Sequence, residues 1–382
     1  MRILSFSYDT NLLLPEDAAN EGQYRQRRYC ELLDQERAFV VLNSGFPHQE
    51  RTLANGRIWA ISASAKSKWR RVCLAYRCGI RAGHRFRPHI VEYQDPQLAG
   101  WAAYLAAKAF HVPLVGGVFN DFLDNPTWLK GAVWRRFYNQ VGKFVLSRSF
   151  RVRCDSAETT RSLHSKGYTQ VRYIPFFVPW LESFAVPDEV QRARLKRWQD
   201  DPLILCVARL SEEKNIALLL QAFGRVTSAS QRGRLVVVGS GPLREELEHL
   251  ASGLGIAQRV FWPGAVETTA LPGYYREANV FALSSNSETS ARVLIMAQAS
   301  RLPTLTTATS GSRDIVSDGR TGYVTPVGDV GAFAEALGCL LNDETAYWRL
   351  MEAGEYDALE RYGERVITTE LQAFYRDLLP AR

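Results

Sequence analysis

Two doubly wound α/β domains in series are what this sequence predicts, on three observations. Short apolar or alternating runs bounded by turn residues recur about a dozen times, with helical patterns between them. Strands that alternate with helices imply parallel sheets joined by right-handed crossovers. The 382 residues exceed one ordinary core and suit two domains of roughly 150–200 residues each. A stretch with three prolines and no period, IPFFVPWLESFAVPDEVQ, then breaks the alternation near the middle. The expected division is 1–178 for the first domain, 179–200 for a linker, 201–365 for the second domain and 366–382 for a terminal helix.

The first-half strands are RILSFSY, AFVVLN, HIVEY, PLVGGVF, FRVRCDS and VRYIP. After the first of them, NEGQYRQRR holds Gly22 ahead of a basic helix start. That suits a loop approaching phosphates, and equally an ordinary start of a helix. The second-half strands are LILCVAR, RLVVVG, RVFWPG, VFALSS, PTLTT and GYVTP. The stretch from Glu344 onward, ETAYWRLMEAGEYDALERYGERVITTELQAFYRDLL, spaces its apolar residues by three and four and reads as helix.

Composition narrows the function classes. With 46% hydrophobic and 23% charged residues the chain is of the soluble globular kind. The start lacks the basic, apolar and small-residue regions of a signal peptide, and no apolar run approaches the ~20 residues of a spanning helix. A cytoplasmic protein is the expectation. The six cysteines have no zinc-like spacing and no histidine cluster beside them, so reduced thiols and no metal are expected.

The net charge is +7 and unevenly placed. Between Arg51 and Arg87 stand ten Lys/Arg and no acid, interleaved with Trp59, Trp69, Tyr76 and Phe86. Residues 64–87 read as a basic amphipathic helix, suited either to peripheral contact with a membrane surface or to an ordinary solvated face. Nucleic acid is not an expected partner, because the charge is mild and no recognised module is present.

Open parallel sheets bind ligands beyond the carboxyl ends of their strands. After LILCVAR come Arg209 and Lys214, two cations at a loop-to-helix transition that suit a polyphosphate or pair with Glu212 and Glu213. After RLVVVG, Gly239 and Gly241 allow a tight turn, either at a nucleotide or simply for packing. After VFALSS, Glu288 precedes a helix opened by Thr289, Ser290, Ala291 and Arg292. The amides there suit an anion while Glu288 accepts from sugar hydroxyls; the plainer role is that of a helix N-terminal partner.

The blocks ARLSEEKN, VVVGSGPL, VFWPGAV, SSNSETSARVLIMAQASRLPTL and SDGRTGYVTPVGD, in this order, resemble the C-terminal domain of glycosyltransferase family 4. The resemblance covers about residues 203–330. VEYQDPQLAG, GVFNDFLDNPTW and VLSRSFRVRCDSAETTRSL extend it more weakly into the first half. It implies the GT-B fold of two facing Rossmann-like domains, with the terminal helix crossing back to the first. It also implies transfer of a sugar from a nucleotide-diphosphate donor, with retention, to a glycan or lipid-linked acceptor.

By that resemblance Arg209 and Lys214 neutralise the donor diphosphate. Val266 contacts the nucleobase and Glu288 holds the donor sugar's hydroxyls. The amides of Ser290 to Arg292 lie against the phosphates, Gly22, Asn120 and Asp121 line the acceptor side or the donor sugar, and no metal or other cofactor is required. Asp314 stands where a glutamate is usual. Two departures are plain. Met296 replaces the second glutamate of E-x7-E, the ribose ligand, and Phe119 occupies the place of a histidine. Loss of a charged acceptor for the ribose diol costs about tenfold to a hundredfold in affinity. A non-catalytic partner subunit of the same fold is the alternative expectation.

Overall fold

The structure is a computed structural model that describes residues 1–17, 20–119, 122–130, 132–230, 232–376 and 378. Internal contacts divide the chain into two units, Met1–Pro179 with Arg365–Arg382, and Trp180–Glu364.

The first unit is built on β1 (Arg2–Ser7), β2 (Glu36–Asn43), β3 (Glu50–Leu53), β4 (Ile58–Ser64), β5 (Ile90–Tyr93), β6 (Leu114–Val118), β7 (Arg151–Cys154) and β8 (Val171–Tyr173). They form one sheet in the order β3-β4-β2-β1-β5-β6-β7-β8. All neighbours are parallel except the edge pair β3–β4. Strands β3 and β4 were not among the expected strands, because Arg51 and Arg57 drew this stretch into the basic region. The hairpin signal was present in Asn55-Gly56, and Ala54, Asn55 and Gly56 all take positive φ at the turn between the strands.

The helix Lys68–Phe86 forms where the basic stretch predicts one, but its apolar stripe is not free. Val72, Ala75, Cys78 and Ala82 are buried against the sheet. A Cβ on Gly79 would come within 2.4 Å of the Phe6 ring, and one on Gly83 within 2.2 Å of Phe110. Both glycines therefore let the helix seat closely. The amphipathic stripe thus faces the protein's own core, while Lys68, Arg70, Arg77 and Arg81 stay exposed.

The C-terminal helix, Glu364–Arg376, completes this unit. Ile367, Leu371 and Phe374 pack with Ile3, Ile90, Val115 and Phe177. Beside them lies a buried polar knot. Arg37 Nη1 donates to Glu92 Oε2 at 2.9 Å, the Tyr375 hydroxyl donates to Glu92 Oε1 at 2.6 Å, and Ser5 Oγ donates to Oε2 at 2.9 Å. Burial pushes the Glu92 carboxyl up, but the Arg37 guanidinium and the two hydroxyls outweigh it and hold it below the usual range.

The second unit carries β9 (Leu203–Val207), β10 (Arg234–Val238), β11 (Val260–Gly264), β12 (Val280–Leu283), β13 (Thr304–Thr307) and β14 (Gly322–Thr325). Its sheet is parallel throughout, in the order β11-β10-β9-β12-β13-β14. All six coincide with expected strands. The segment 179–200, read as a linker, ends in a helix, Asp188–Asp200, that belongs to this unit. Arg194 anchors it. Fully buried, it donates to the carbonyls of Tyr275, Arg276 and Ser300 at 2.6, 2.6 and 2.7 Å. Its guanidinium thus caps the ends of two other helices, Leu271–Glu277 and Arg292–Ala299.

In both sheets the strand order reverses direction once, beside β1 and β5 in the first unit and beside β9 and β12 in the second. Such switch points open a crevice at the carboxyl edge of a parallel sheet. Among the described residues, no helix is long and apolar enough to cross a membrane.

Candidate functional site

The switch point of the second unit gathers the residues on which the sequence reading turned. Arg209 and Lys214 follow β9, and Glu288 follows β12. The loops carrying them are laced together. Asn286 N–H donates to the Glu213 carbonyl at 2.8 Å, and Ser284 Oγ donates to the Asn215 carbonyl at 2.9 Å. Asn215 takes a left-handed conformation, φ 43°, which turns the chain into the helix Ile216–Ser230.

Lys214 Nζ donates to Glu288 Oε1 at 2.6 Å, and Ser285 Oγ donates to the same oxygen at 2.8 Å. Their side chains are 19% and 10% exposed. Glu288 Oε2 has no partner among the described residues. Arg209 instead pairs with Glu213 at 2.5 Å, with 63% and 47% of the two side chains exposed. The two cations are thus split, one held inside and one at the surface. An exposed pair of that kind is worth about 0–1 kcal/mol, so Arg209 exchanges partners at little cost.

Gly239 and Gly241 have a packing reason of their own. A Cβ on Gly239 (φ 141°) would lie 1.9 Å from the Ala208 carbonyl oxygen, and one on Gly241 2.3 Å from that of Leu210. The glycine turn and the Arg209 loop press backbone on backbone, with Leu210 N–H donating to the Ser240 carbonyl at 3.0 Å. Gly239 N–H donates to the Gly264 carbonyl at 2.8 Å, which brings in the end of β11 and, two residues on, the partly buried Val266.

The segment after Glu288 is irregular backbone until the helix Arg292–Ala299 begins. Arg292 N–H donates to the Ser290 carbonyl at 3.1 Å. The N–H groups of Ser290 and Ala291 have no acceptor among the described residues. Met296 lies one turn further along and is 4% exposed, its thioether withdrawn from solvent.

Two features escaped the sequence reading. Gly311, in the helix Ser310–Ile315, donates its N–H to the Glu288 carbonyl at 2.8 Å, and its Cβ would fall 2.6 Å from the Thr289 carbonyl carbon. It clamps the Glu288 loop, and a glycine just after a strand end was the available signal. Asp314, on the same helix, has its carbonyl held by Arg361 and Tyr362.

The second feature is Asp95, just beyond β5 at the switch point of the first unit. Burial pushes its carboxyl up to about 6 against the pull of the Gln97 N–H, which donates to it at 2.9 Å. A carboxylate two residues after the strand HIVEY was its sequence signal. Of the residues expected on this side, Gly22 is the second residue of the helix Glu21–Leu32, and its Cβ would meet an Asp9 carboxylate oxygen at 3.0 Å. Asn120 and Asp121 lie outside the described residues. Phe119 packs at a tilt against Phe176, with ring centroids 4.9 Å apart, and lines a cavity with Gln26, Arg37 and Arg153. Among the described residues no group of three or more His, Cys, Asp or Glu is gathered as a metal cluster would be.

Comparison with known proteins covers both units. The family model described as Glycosyl transferases group 1 matches residues 187–357, and that described as Glycosyl transferase 4-like domain matches residues 10–176. The chain is similar to a sulfoquinovosyl transferase, SQD2, of Arabidopsis thaliana, at 26% identity over 305 residues, 75% of this chain and 56% of that protein. It is similar to a D-inositol 3-phosphate glycosyltransferase of Xylanimonas cellulosilytica, at 31% identity over 284 residues, 70% of this chain and 66% of that protein. The chain thus spans about half to two thirds of the length of the curated relatives it matches, 56%, 49% and 66% for three of them.

Among solved structures, the sucrose-phosphate synthase of Thermosynechococcus elongatus superposes with a TM-score of 0.79 at 19% identity, over 99% of this chain and 98% of that one. HepE of Anabaena, in complex with UDP, gives 0.77 at 14% identity, over 99% and 100%. At such identities the likeness is one of fold, and it is the fold read above: two parallel-sheet α/β domains.

Proposed function

From a chain that belongs to the family 4 type of GT-B glycosyltransferases, we infer an enzyme that moves a sugar from a nucleotide-diphosphate donor, with retention, to a glycan or lipid-linked acceptor. One observation carries the reading: the enclosed Lys214–Glu288 pair at the switch point of the second sheet. A cation and a carboxylate held there by neighbouring loops meet the two demands of such a donor, a diphosphate and a ring of hydroxyls. The HepE structure, which holds UDP, supports a uridine nucleotide as a first donor to try.

On this reading Lys214 and Arg209 neutralise the diphosphate as the bond from the anomeric carbon to the phosphate oxygen breaks. Arg209 leaves Glu213 to do so. The Ser290 and Ala291 amides and Arg292 face the same phosphates, and Glu288 Oε2 accepts from the sugar. Val266 borders the base, while Gly239 and Gly241 hold the Arg209 loop in register. These cations and amides supply the electrostatic work, so the reading needs no metal ion. The acceptor belongs to the first unit, with Gly22, Asn120 and Asp121 on its side, at a cytoplasmic, membrane-associated place of work. The rival, a non-catalytic partner subunit, draws on the two departures, Met296 and Phe119.

Calorimetric titration of UDP, GDP and ADP and their common sugar conjugates into the protein tests this, beside Lys214→Ala. Saturable binding of one nucleotide, lost in Lys214→Ala, is expected. No binding of any of them would leave the partner-subunit reading in its place.

A further inference from the structure

In the first unit a cavity of about 20 Å³ lies between the sheet, the helix Glu21–Leu32 and the C-terminal helix. The Arg37–Glu92–Tyr375 knot lines it with its hydrogen bonds already made. Three further polar side chains line it, Gln26, Tyr29 and Arg153, at 7%, 2% and 8% exposure. Each keeps a donor that has no acceptor among the described residues. The Tyr29 hydroxyl is buried with no hydrogen-bond partner. Gln26 Oε1 accepts from Arg37 Nη1 at 3.4 Å, which leaves Gln26 Nε2 as a donor. Arg153 donates from Nε and Nη2 to the carbonyls of Ile174 and Pro175 at 2.7 and 2.6 Å, and its Nη1 is left over. Among the described residues Arg153 forms no ion pair.

Buried donors around a small space favour a group that only accepts, an anion. Size narrows the choice. About 20 Å³ holds roughly two water-sized atoms, which admits the two oxygens of a carboxylate but not the four of a phosphate or sulfate. The partly exposed rim is Gln94, Phe119 and Phe176, at the carboxyl edge of the sheet. There the Arg25 and Arg153 guanidinium groups lie over the Phe176 ring at 4.9 and 4.5 Å. Gln26 stands one turn beyond Gly22 on the same helix, and Phe119 directly precedes Asn120. The rim therefore adjoins the residues assigned above to the acceptor's side.

We propose that this cavity binds the carboxylate of an acidic sugar, of the uronic acid class, in the acceptor. The carboxylate accepts from Arg153 Nη1, Tyr29 Oη and Gln26 Nε2, and the sugar ring stays outside at the rim. Glu92 does not oppose it, because Arg37 balances that charge. A water is the poorer occupant, since its own two hydrogens would face donors. That the sugar belongs to the acceptor rests on the transferase reading; the carboxylate site does not.

Calorimetric titration of glucuronate into the full chain, beside glucose, acetate and inorganic phosphate at constant ionic strength, is the test. Tyr29→Phe and Arg153→Gln go beside the wild type. Tyr29→Phe removes a hydroxyl that has no partner, so it is expected to melt no lower than the wild type. It is expected to bind glucuronate about tenfold more weakly, the loss of one hydrogen bond to a charged group. Arg153→Gln is expected to lose at least as much. Because Arg153 also holds two carbonyls, Tyr29→Phe carries the test should Arg153→Gln not fold. Glucose and phosphate are expected to bind far more weakly than glucuronate. No glucuronate binding, or binding that Tyr29→Phe leaves unchanged, overturns the proposal and leaves the cavity to water. Phosphate bound as tightly as glucuronate overturns it too, and acetate bound as tightly overturns the acidic sugar. Nucleotide titrated into the same protein separates the two readings. Nucleotide bound without glucuronate overturns this inference and leaves the transferase reading standing. Glucuronate bound without any nucleotide keeps the carboxylate site and removes the basis for its place in an acceptor.

Discussion

At Met296 a carboxylate and a thioether make opposite demands on the free protein. The site is 4% exposed, so Met296→Glu puts a charge where water does not reach it. That costs about 1–3 kcal/mol in the ligand-free state, while a ribose diol would regain about tenfold or more in affinity. The variant is expected to melt lower alone and to bind nucleotide more tightly than the wild type, which melting and titration together check. Asp95 gives a pH test. Its folded carboxyl sits at about 6, above the ordinary value of 3.8, so the folded state binds more protons than the unfolded one between these values. Stability from this group is present below pH ~4 and lost as pH rises through ~6. Asp95→Asn, whose side-chain oxygen still accepts from Gln97, is expected to gain roughly 2 kcal/mol over the wild type at pH 7 and little at pH 4, as urea unfolding at both pH values would show. Lys214 and Glu288 were legible because strand ends place them. Asp95 was not: its position after a strand is the same signal a turn aspartate gives, and only its burial sets it apart.

At the scale of elements, backbone approach decides what a substitution does. The glycine turn and the Arg209 loop leave a Cβ at Gly239 no room, and φ there is positive. Gly239→Ala must push the Ala208 carbonyl aside, at about 2–4 kcal/mol, and Arg209 moves with it. Loss of nucleotide affinity together with stability is expected; an alanine variant that binds as before would deny the coupling of the two loops. The pattern GSGP announced a turn, but its partner across the sheet is a long-range fact that one segment does not contain. The same holds for the helix Asp188–Asp200. Its prolines upstream and its charges read as linker, and only the carbonyls of Tyr275, Arg276 and Ser300, about a hundred residues away in sequence at most, explain why Arg194 is buried. The strands of the second sheet were legible because each is a short apolar run between turn residues. The hairpin β3–β4 was not: β3 is an edge strand that tolerates charge, and β4, an interior apolar run, lies inside the basic stretch 51–87.

At the scale of the whole chain, the two units differ in how continuous they are. The second is one uninterrupted segment with its own core around Phe223, Leu235 and Phe333, whereas the first needs the last helix to cover Ile3, Val115 and Phe177. That helix also brings Tyr375 to the buried Arg37–Glu92 pair. A chain ending at Glu364 therefore opens an apolar core and strips Glu92 of a hydrogen bond in the first unit, while leaving the second intact. Each buried side chain lost costs about 2–5 kcal/mol, enough together to unfold a domain of ordinary stability. Scanning calorimetry of the full and shortened chains, with and without nucleotide, reads this directly. A nucleotide at a hundredfold excess over its Kd adds about 2.7 kcal/mol to the fold that binds it. The shortened chain is expected to lose the heat of the first unit and to keep a transition that nucleotide raises. If nucleotide raises nothing in the shortened chain while still raising the full one, donor binding needs the first unit, and the site drawn here around Lys214 and Glu288 is incomplete without it.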